Sequence, residues 1–264
     1  MRNENLDKLN SLITAALAVE ADAEPPVAAT PAPAKENRRA TLDTKEFWGS
    51  IKRVDKFQFS PECSFARSSE LGEKFDDLRA NLQSLQVESG VKTVAFSAAH
   101  PNEGTTCTAV NAARFMAENK ARGTLLVDCN LRNPHLKNHI TTRCDFYLED
   151  FLSGNCKASD AIVYSEADNL AATLTRHAQS GAEEMLKSPA MKQFIATARQ
   201  AFDFVLIDTP PVLSATDASL LGAMCDGAIL VIKAGATSRE SVEHAISLLR
   251  QANANVLGVV LSQV

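Results

Sequence analysis

At 264 residues, 45% hydrophobic and 22% charged, the chain is long enough for one substantial α/β domain with an appendage and too apolar to be disordered throughout. Its formal net charge of −5 argues against a general nucleic-acid binder, which carries a basic domain or stripe. The start MRNENLDKLN has acids where a secretory leader needs basic residues, and the apolar run from Leu12 to Val19 falls far short of the ~20 residues that span a bilayer; the expectation is a cytoplasmic protein that reaches a membrane only through a partner.

In chain order, residues 1–23 are expected to form a short amphipathic helix, with Leu6, Leu9, Ile13 and Leu17 at helical spacing. Four of the ten prolines then fall between Pro25 and Pro33, and this Ala/Pro-rich stretch reads as a semi-extended linker. Acids and bases over 1–60 balance at nine each, which gives no polybasic membrane signal. Residues 1–60 are therefore expected to be a partly disordered arm and 61–264 the folded domain. Ser69–Gln86 carries Leu71, Phe75, Leu78, Leu82 and Leu85 three and four apart, the stripe of an amphipathic helix. Beyond it, short apolar runs alternate with helical segments: Thr93–Ala98, Thr124–Val127, a weaker Leu170–Leu174, Phe204–Ile207, Ala228–Ile232 and Val256–Leu261. That alternation predicts a parallel sheet sandwiched between helices, with ligands at the carboxyl ends of the strands. The six cysteines, at 63, 107, 129, 144, 156 and 225, form no CxxC and no zinc-ligand spacing. Neither a disulfide nor a metal site is assigned to them, and a reducing compartment fits.

Three strand ends carry chemistry. After Thr93–Ala98 come Ala99-His100-Pro101-Asn102-Glu103-Gly104-Thr105-Thr106 and then a helical stretch, Cys107–Asn119. Strand, loop and helix in that order suit a phosphate loop, whose backbone N–H groups and helix N-terminus attract anions. Against the G-x-x-x-x-G-K-[ST] pattern, Gly104 and Thr106 match, Ala99 stands for the first glycine, and Thr105 stands for the lysine. Thr124–Val127 runs into Asp128-Cys129-Asn130-Leu131-Arg132-Asn133-Pro134, and Phe204–Ile207 into Asp208-Thr209-Pro210-Pro211. Asp128 is read either as a magnesium or water ligand or as a loop cap, and Asp208 matches the magnesium-holding acid of P-loop NTPases. Asp217, ahead of another apolar helical stretch, reads as a helix cap.

Together these motifs resemble the bacterial tyrosine kinases (BY-kinases) of capsule and exopolysaccharide synthesis, in the same P-loop class as the MinD/ParA ATPases. The resemblance covers about Pro61–Leu261. PNEGTTC from Pro101 stands against PGEGKST, DCNLRNP from Asp128 against DADLRRP, and FDFVLIDTPP from Phe202 against YDYVIIDTPP. The resemblance implies a P-loop NTPase-like fold. It implies that Gly104, Thr105, Thr106, Cys107 and Arg132 line a nucleotide and that Thr106, Asp128 and Asp208 hold magnesium. Asp128 and Asp208 are the catalytic acids it carries over. The departures all remove function: lysine is Thr105, the second acid of the DxD motif is Asn130, and the E-x-x-R-x-x-R assembly pattern reads Glu73, Asp76, Arg79. The only tyrosines, Tyr147 and Tyr164, lie mid-chain rather than in a tyrosine-rich tail. The chain thus reads as a pseudokinase with weak or lost Mg-ATP binding. By resemblance it is expected to work in polysaccharide synthesis or export, peripheral to the inner membrane. The partner implied is the cytoplasmic segment of a membrane co-polymerase, with self-assembly or an active kinase paralogue beside it, and no nucleic acid. Lys92, Lys120 and Arg132 are the cations offered as replacements for the lysine. An active autokinase with displaced catalytic groups is the first alternative. A positioning ATPase of the MinD/ParA kind is the second; it wants a lysine early in the loop, where His100 and Asn102 stand, and no C-terminal amphipathic helix is expected after Leu261.

Overall fold

The computed structural model describes residues 42–64, 68–118 and 123–262; the expected helix over 1–23 and the Pro25–Pro33 linker lie outside the described residues. The compact unit begins at Thr44, upstream of the boundary expected at residue 61. It opens with helix α1 (Thr44–Ser50), strands β1 (Lys52–Val54) and β2 (Gln58–Phe59), a 3-10 turn at Pro61–Cys63, the long helix α2 (Glu70–Ser89) and strand β3 (Thr93–Ala98). The middle holds α3 (Thr105–Ala117), β4 (Thr124–Asp128), the one-turn α4 (Leu136–His139), β5 (Ile140–Thr141), α5 (Leu148–Leu152), β6 (Val163–Ser165) and β7 (Leu170–Thr173). The chain closes with α6 (Ala182–Lys187), α7 (Pro189–Ala201), β8 (Phe204–Asp208), α8 (Asp217–Met224), β9 (Gly227–Lys233), α9 (Arg239–Gln251) and β10 (Val256–Ser262).

Eight strands form one sheet in the order β1-β6-β7-β4-β8-β3-β9-β10, and β2 pairs with β5 in a separate ribbon. From β7 to β10 every neighbouring pair is parallel. At the other edge β6 runs antiparallel to β7, so the sheet is mostly rather than wholly parallel. The cause is local: only residues 166–169 separate these strands, enough for a hairpin but not for a crossover. Strands β3, β4 and β8 are buried along their whole length, which is why they read as unbroken apolar runs. Val94, Phe96, Leu126 and Leu206 pack on the α2–α3 side, whereas Ala95, Ala228, Leu230 and Ile232 belong to the core with α8 and α9, the alternation that a period of two imposes.

The early start of the domain has an aromatic cause. Trp48 of α1 donates Nε1–H to the Ala201 carbonyl at 3.1 Å, and its ring lies 4.8 Å from Phe202 and 5.4 Å from Tyr164. Phe47 and Phe57 are buried as well. The rings of Phe47 and Trp48 cover the α7–β8 junction at Phe202, and Trp48 also meets Tyr164 of β6, the strand to which β1 adds itself. Charge balance and proline content could not reveal that contact. In α2, Ser69 caps the N-terminus by accepting from Gly72 N at 3.1 Å, and Gly90 closes it in the left-handed region at φ 71°. Phe75 and Leu82 are buried, but Leu71, expected in the apolar stripe, is 52% exposed because it lies in the first turn, ahead of the contact with α3. Among the described residues, no helix is long and apolar enough to cross a membrane.

Candidate functional site

Register brings the three marked strand ends together. Strand β8 lies between β4 and β3, with Asp128 opposite Asp208 and Asp208 opposite Phe96. The loop after β3 and the two acids therefore share one end of the sheet, at the ~4.8 Å spacing of neighbouring strands.

The loop is built around an acid that sequence reasoning passed over. Glu103 is buried, and its Oε2 accepts from the backbone N–H of Ala99 at 3.0 Å and of His100 at 3.1 Å. Its other carboxylate oxygen accepts from the Thr237 hydroxyl, and its carbonyl accepts from Ser262 Oγ at 2.6 Å. One residue thus fixes the loop to the turn after β9 and to the end of β10. His100 is hydrogen-bonded through Nε2 to Ser241 Oγ of α9 at 2.9 Å. The reversal needs two left-handed residues, Asn102 at φ 62° and Gly104 at φ 85°; asparagine tolerates the first and glycine the second. Helix α3 starts at Thr105, and its first backbone bond runs from Thr108 N to the Gly104 carbonyl at 2.9 Å. The N–H groups of Thr105, Thr106 and Cys107 precede that bond, at the positive end of a 13-residue helix, and suit an anion. The Cys107 side chain turns to Cys63 instead, so only its backbone can serve a phosphate.

The two acids are not equivalent. Asp128 is fully buried and both its oxygens are occupied: Oδ1 accepts from Asn130 N at 3.1 Å and Oδ2 from Leu136 N at 3.2 Å. It caps its own loop. Burial, and then the nearby Asp208 carboxylate, hold its pKa well above the ordinary range. Asp208 is also 0% exposed, yet neither of its oxygens has a hydrogen-bond partner. Burial pushes its pKa up to about 7, and the Thr106 hydroxyl, close by but outside hydrogen-bond geometry, pulls it part of the way back. Buried polar atoms without partners are rare enough to call for a ligand. A carboxylate facing a hydroxyl supplies the hard oxygen donors that Mg²⁺ prefers alongside its waters. Asp208 and Thr106 fit that ion; Asp128, each of whose oxygens already accepts one backbone bond, keeps one lone pair on each oxygen with which to join.

Neither Arg132 nor Lys92, two of the cations offered in place of the lysine, comes to the loop. Arg132 is bound through Nε and Nη2 to both oxygens of Asp217, at 2.7 and 3.0 Å. Asp217, fully buried, is the first residue of α8 and not its cap, which is Thr216. Lys92 lies just before β3 while the loop follows it, about 20 Å away over six residues of strand. Lys120 lies outside the described residues. Arg132→Leu is expected to lower stability by about 2–3 kcal/mol, since the buried Asp217 carboxylate loses its partner; urea unfolding with an unchanged m-value checks it.

The remaining expected residues are committed to packing. Tyr164 donates its hydroxyl to Asn169 Oδ1 at 2.8 Å, and Tyr147 lies under Arg176, 4.2 Å from its guanidinium carbon. Arg79 pairs with Asp76 at 3.0 Å and Glu118 at 3.7 Å. Among the described residues, no group of three or more His, Cys, Asp or Glu is placed to hold a metal ion.

Known proteins share this fold. An AAA domain matches residues 91–257. Tyrosine-protein kinase YwqD of Bacillus subtilis (strain 168) is 30% identical over 190 residues, covering 72% of this chain and 80% of that protein. The succinoglycan biosynthesis transport protein ExoP of Rhizobium meliloti (strain 1021) is 30% identical over 227 residues, 82% of this chain but 29% of that protein. The crystal structure of the chimerical protein CapA2B2 superposes with a TM-score of 0.72 at 24% identity, covering 81% of this chain and 93% of that one. The septum site-determining protein MinD of Pyrococcus horikoshii OT3, complexed with Mg-ADP, superposes at 0.55 and 21% identity over 64% of this chain and 69% of that one.

Proposed function

The chain belongs to the AAA-domain family and, within it, to the bacterial tyrosine kinases; from that premise we propose that it is a pseudokinase of capsule or exopolysaccharide biosynthesis, holding Mg-nucleotide weakly and acting by docking. The observation that carries this reading is Thr105 at the first turn of α3, in a loop to which neither Arg132 nor Lys92 comes. A threonine donates one neutral hydrogen bond where the family's lysine offsets charge on the β- and γ-phosphates. Magnesium, when bound, supplies charge neutralisation at the same oxygens. The chain's own contribution is narrower. The N–H groups of α3 orient a phosphate, Asp208 and Thr106 offer oxygens to the cation, and Glu103 keeps the loop in shape. Nucleotide is then a conformational ligand, and the docked partner is the cytoplasmic segment of an inner-membrane polysaccharide co-polymerase, an active paralogue, or a second copy of this chain.

A thermal-shift titration with Mg-ADP and Mg-ATP separates a binder from a bare scaffold, since ligand at a hundred times its Kd adds about 2.7 kcal/mol of stability. The expected outcome is a shift with both nucleotides at millimolar concentration and no phosphotyrosine. The bare oxygens of Asp208 favour a second reading, an active kinase. It requires magnesium-dependent phosphotyrosine on the protein or a partner, abolished by Asp208→Ala; its appearance would overturn the pseudokinase.

A further inference from the structure

Two thiols that sequence spacing kept apart meet beside the phosphate loop. Cys63, on the 3-10 turn, lies with its Sγ 3.3 Å from Sγ of Cys107 in the first turn of α3. Both are free thiols. The turn is fastened to the helix by Arg114 of α3, which donates to the Cys63 carbonyl and covers the Phe59 ring at 4.7 Å. The Cys107 end is steadied by Asn111, whose Nδ2 donates to the Cys107 carbonyl at 2.9 Å and approaches its sulfur at 3.5 Å. On the other side of Cys63 stands His139 of α4, its Nδ1 3.5 Å from the sulfur, 3.1 Å from Ser60 Oγ and 3.6 Å from a Glu62 carboxylate oxygen. The sulfurs need to close by little more than 1 Å to reach the ~2.05 Å of a disulfide. No other function in the site uses this pair of side chains.

We propose that Cys63 and Cys107 form a reversible redox pair, oxidised by a hydroperoxide to an intramolecular disulfide that fastens the first turn of the phosphate-loop helix to the segment leading into α2. Exposure assigns the roles. Cys107 is partly exposed and Cys63 is 0% exposed, so Cys107 meets the oxidant and Cys63 resolves. The sulfur of Cys107 attacks one peroxide oxygen, the O–O bond breaks, and the departing oxygen leaves as water with the thiol proton; Cys107 becomes a sulfenic acid. Cys63 then gives its proton to His139 Nδ1 as its sulfur attacks that of Cys107. The S–O bond breaks, and the leaving hydroxide recovers the proton as a second water. In sum, two thiols and one hydrogen peroxide give one disulfide and two waters. Burial lowers the His139 pKa against the pull of Glu62 and with the push of His135, which leaves the ring neutral and able to accept. Where thiols are held reduced, such pairs are transient and regulatory rather than structural. The Cys107 N–H belongs to the anion-binding turn, so the bridge acts on the same turn that holds phosphate.

The test is peptide mass spectrometry of the full chain after treatment with one equivalent of hydrogen peroxide and alkylation of remaining thiols. The expected product is a Cys63–Cys107 cross-linked peptide, two hydrogen masses lighter than the reduced pair and reversed by dithiothreitol, with Cys129, Cys144, Cys156 and Cys225 still alkylated. In Cys63→Ser, Cys107 is expected to stop at a sulfenic acid trapped by dimedone. Because wild-type protein carries the main result, misfolding of the variant would not rescue the idea. Full alkylation of both thiols after peroxide, oxidation of Cys107 to sulfinic acid without a cross-link, or a disulfide joining two chains would each overturn it.

Discussion

Thr105→Lys is expected to tighten Mg-ATP binding by about ten- to a hundred-fold, the worth of one charge-assisted hydrogen bond at ~1.5–3 kcal/mol. The backbone frame for that lysine is in place. Gly104 sits in the left-handed region at φ 85°, α3 begins at residue 105, and Glu103 holds the loop from inside. The new ammonium would also enter a site that contains two buried carboxylates, so its own desolvation is offset by attraction. Because this group bridges the β- and γ-phosphates, Mg-ADP should gain less than Mg-ATP. Isothermal titration of both nucleotides against wild-type and variant protein reads the difference directly. Equal affinities before and after would mean that the loop does not present phosphate to position 105, and the functional reading would lose its main support. Turnover is a separate matter: Asn130 still replaces the second acid, so binding is expected to recover well before catalysis does.

What sequence could and could not supply follows from the range of each interaction. The central strands were legible because burial on both faces forces unbroken apolar runs, and their ends were legible because a charge closing such a run is conspicuous: Asp128 and Asp208 emerged that way and stand opposite each other. The edge elements were not. β1, β2, β5 and β6 are two or three residues long and of mixed composition, and it takes the aromatic contacts of Trp48 and the pairings of β1 and β2 to show that the chain before residue 61 is part of the fold. Pairings across long separations were equally hidden. Arg132 was read toward the nucleotide and Asp217 as a cap, yet they bind each other across 85 residues. Glu103 meets Thr237 across 134, and Cys63 meets Cys107 across 44. No local pattern encodes such contacts; they exist only once the sheet order brings loops to a common end. Asp128 combines the two readings its motif allowed: its two backbone hydrogen bonds shape its loop, and its register opposite Asp208 keeps it at the candidate site.

Asp208→Asn is expected to stabilise the protein by a few kcal/mol at pH 8 and by only about a third as much at pH 5. In the unfolded chain this carboxyl ionises near its ordinary 3.8, whereas the folded protein keeps the proton until about 7. Between those values the native state binds more protons than the unfolded one, so stability falls as pH rises from ~4 to ~7 and the loss is complete above it. At about 1.4 kcal/mol for each pH unit separating the two states, that loss is a large part of a marginal stability. An amide at this position carries no charge at any pH and avoids it. Thermal unfolding should show the variant several degrees above wild type at pH 8, at about 2–4 °C per kcal/mol for a domain of this size. Magnesium should reverse the order, because a cation bound only by the native state recovers the strain of the ionised carboxylate in the wild type and does nothing for the variant. A variant that is equally destabilised at both pH values would mean that the Asp208 oxygens are engaged after all. The expected crossover would mark Asp208 as a group maintained, at a cost to the fold, for the ion it receives.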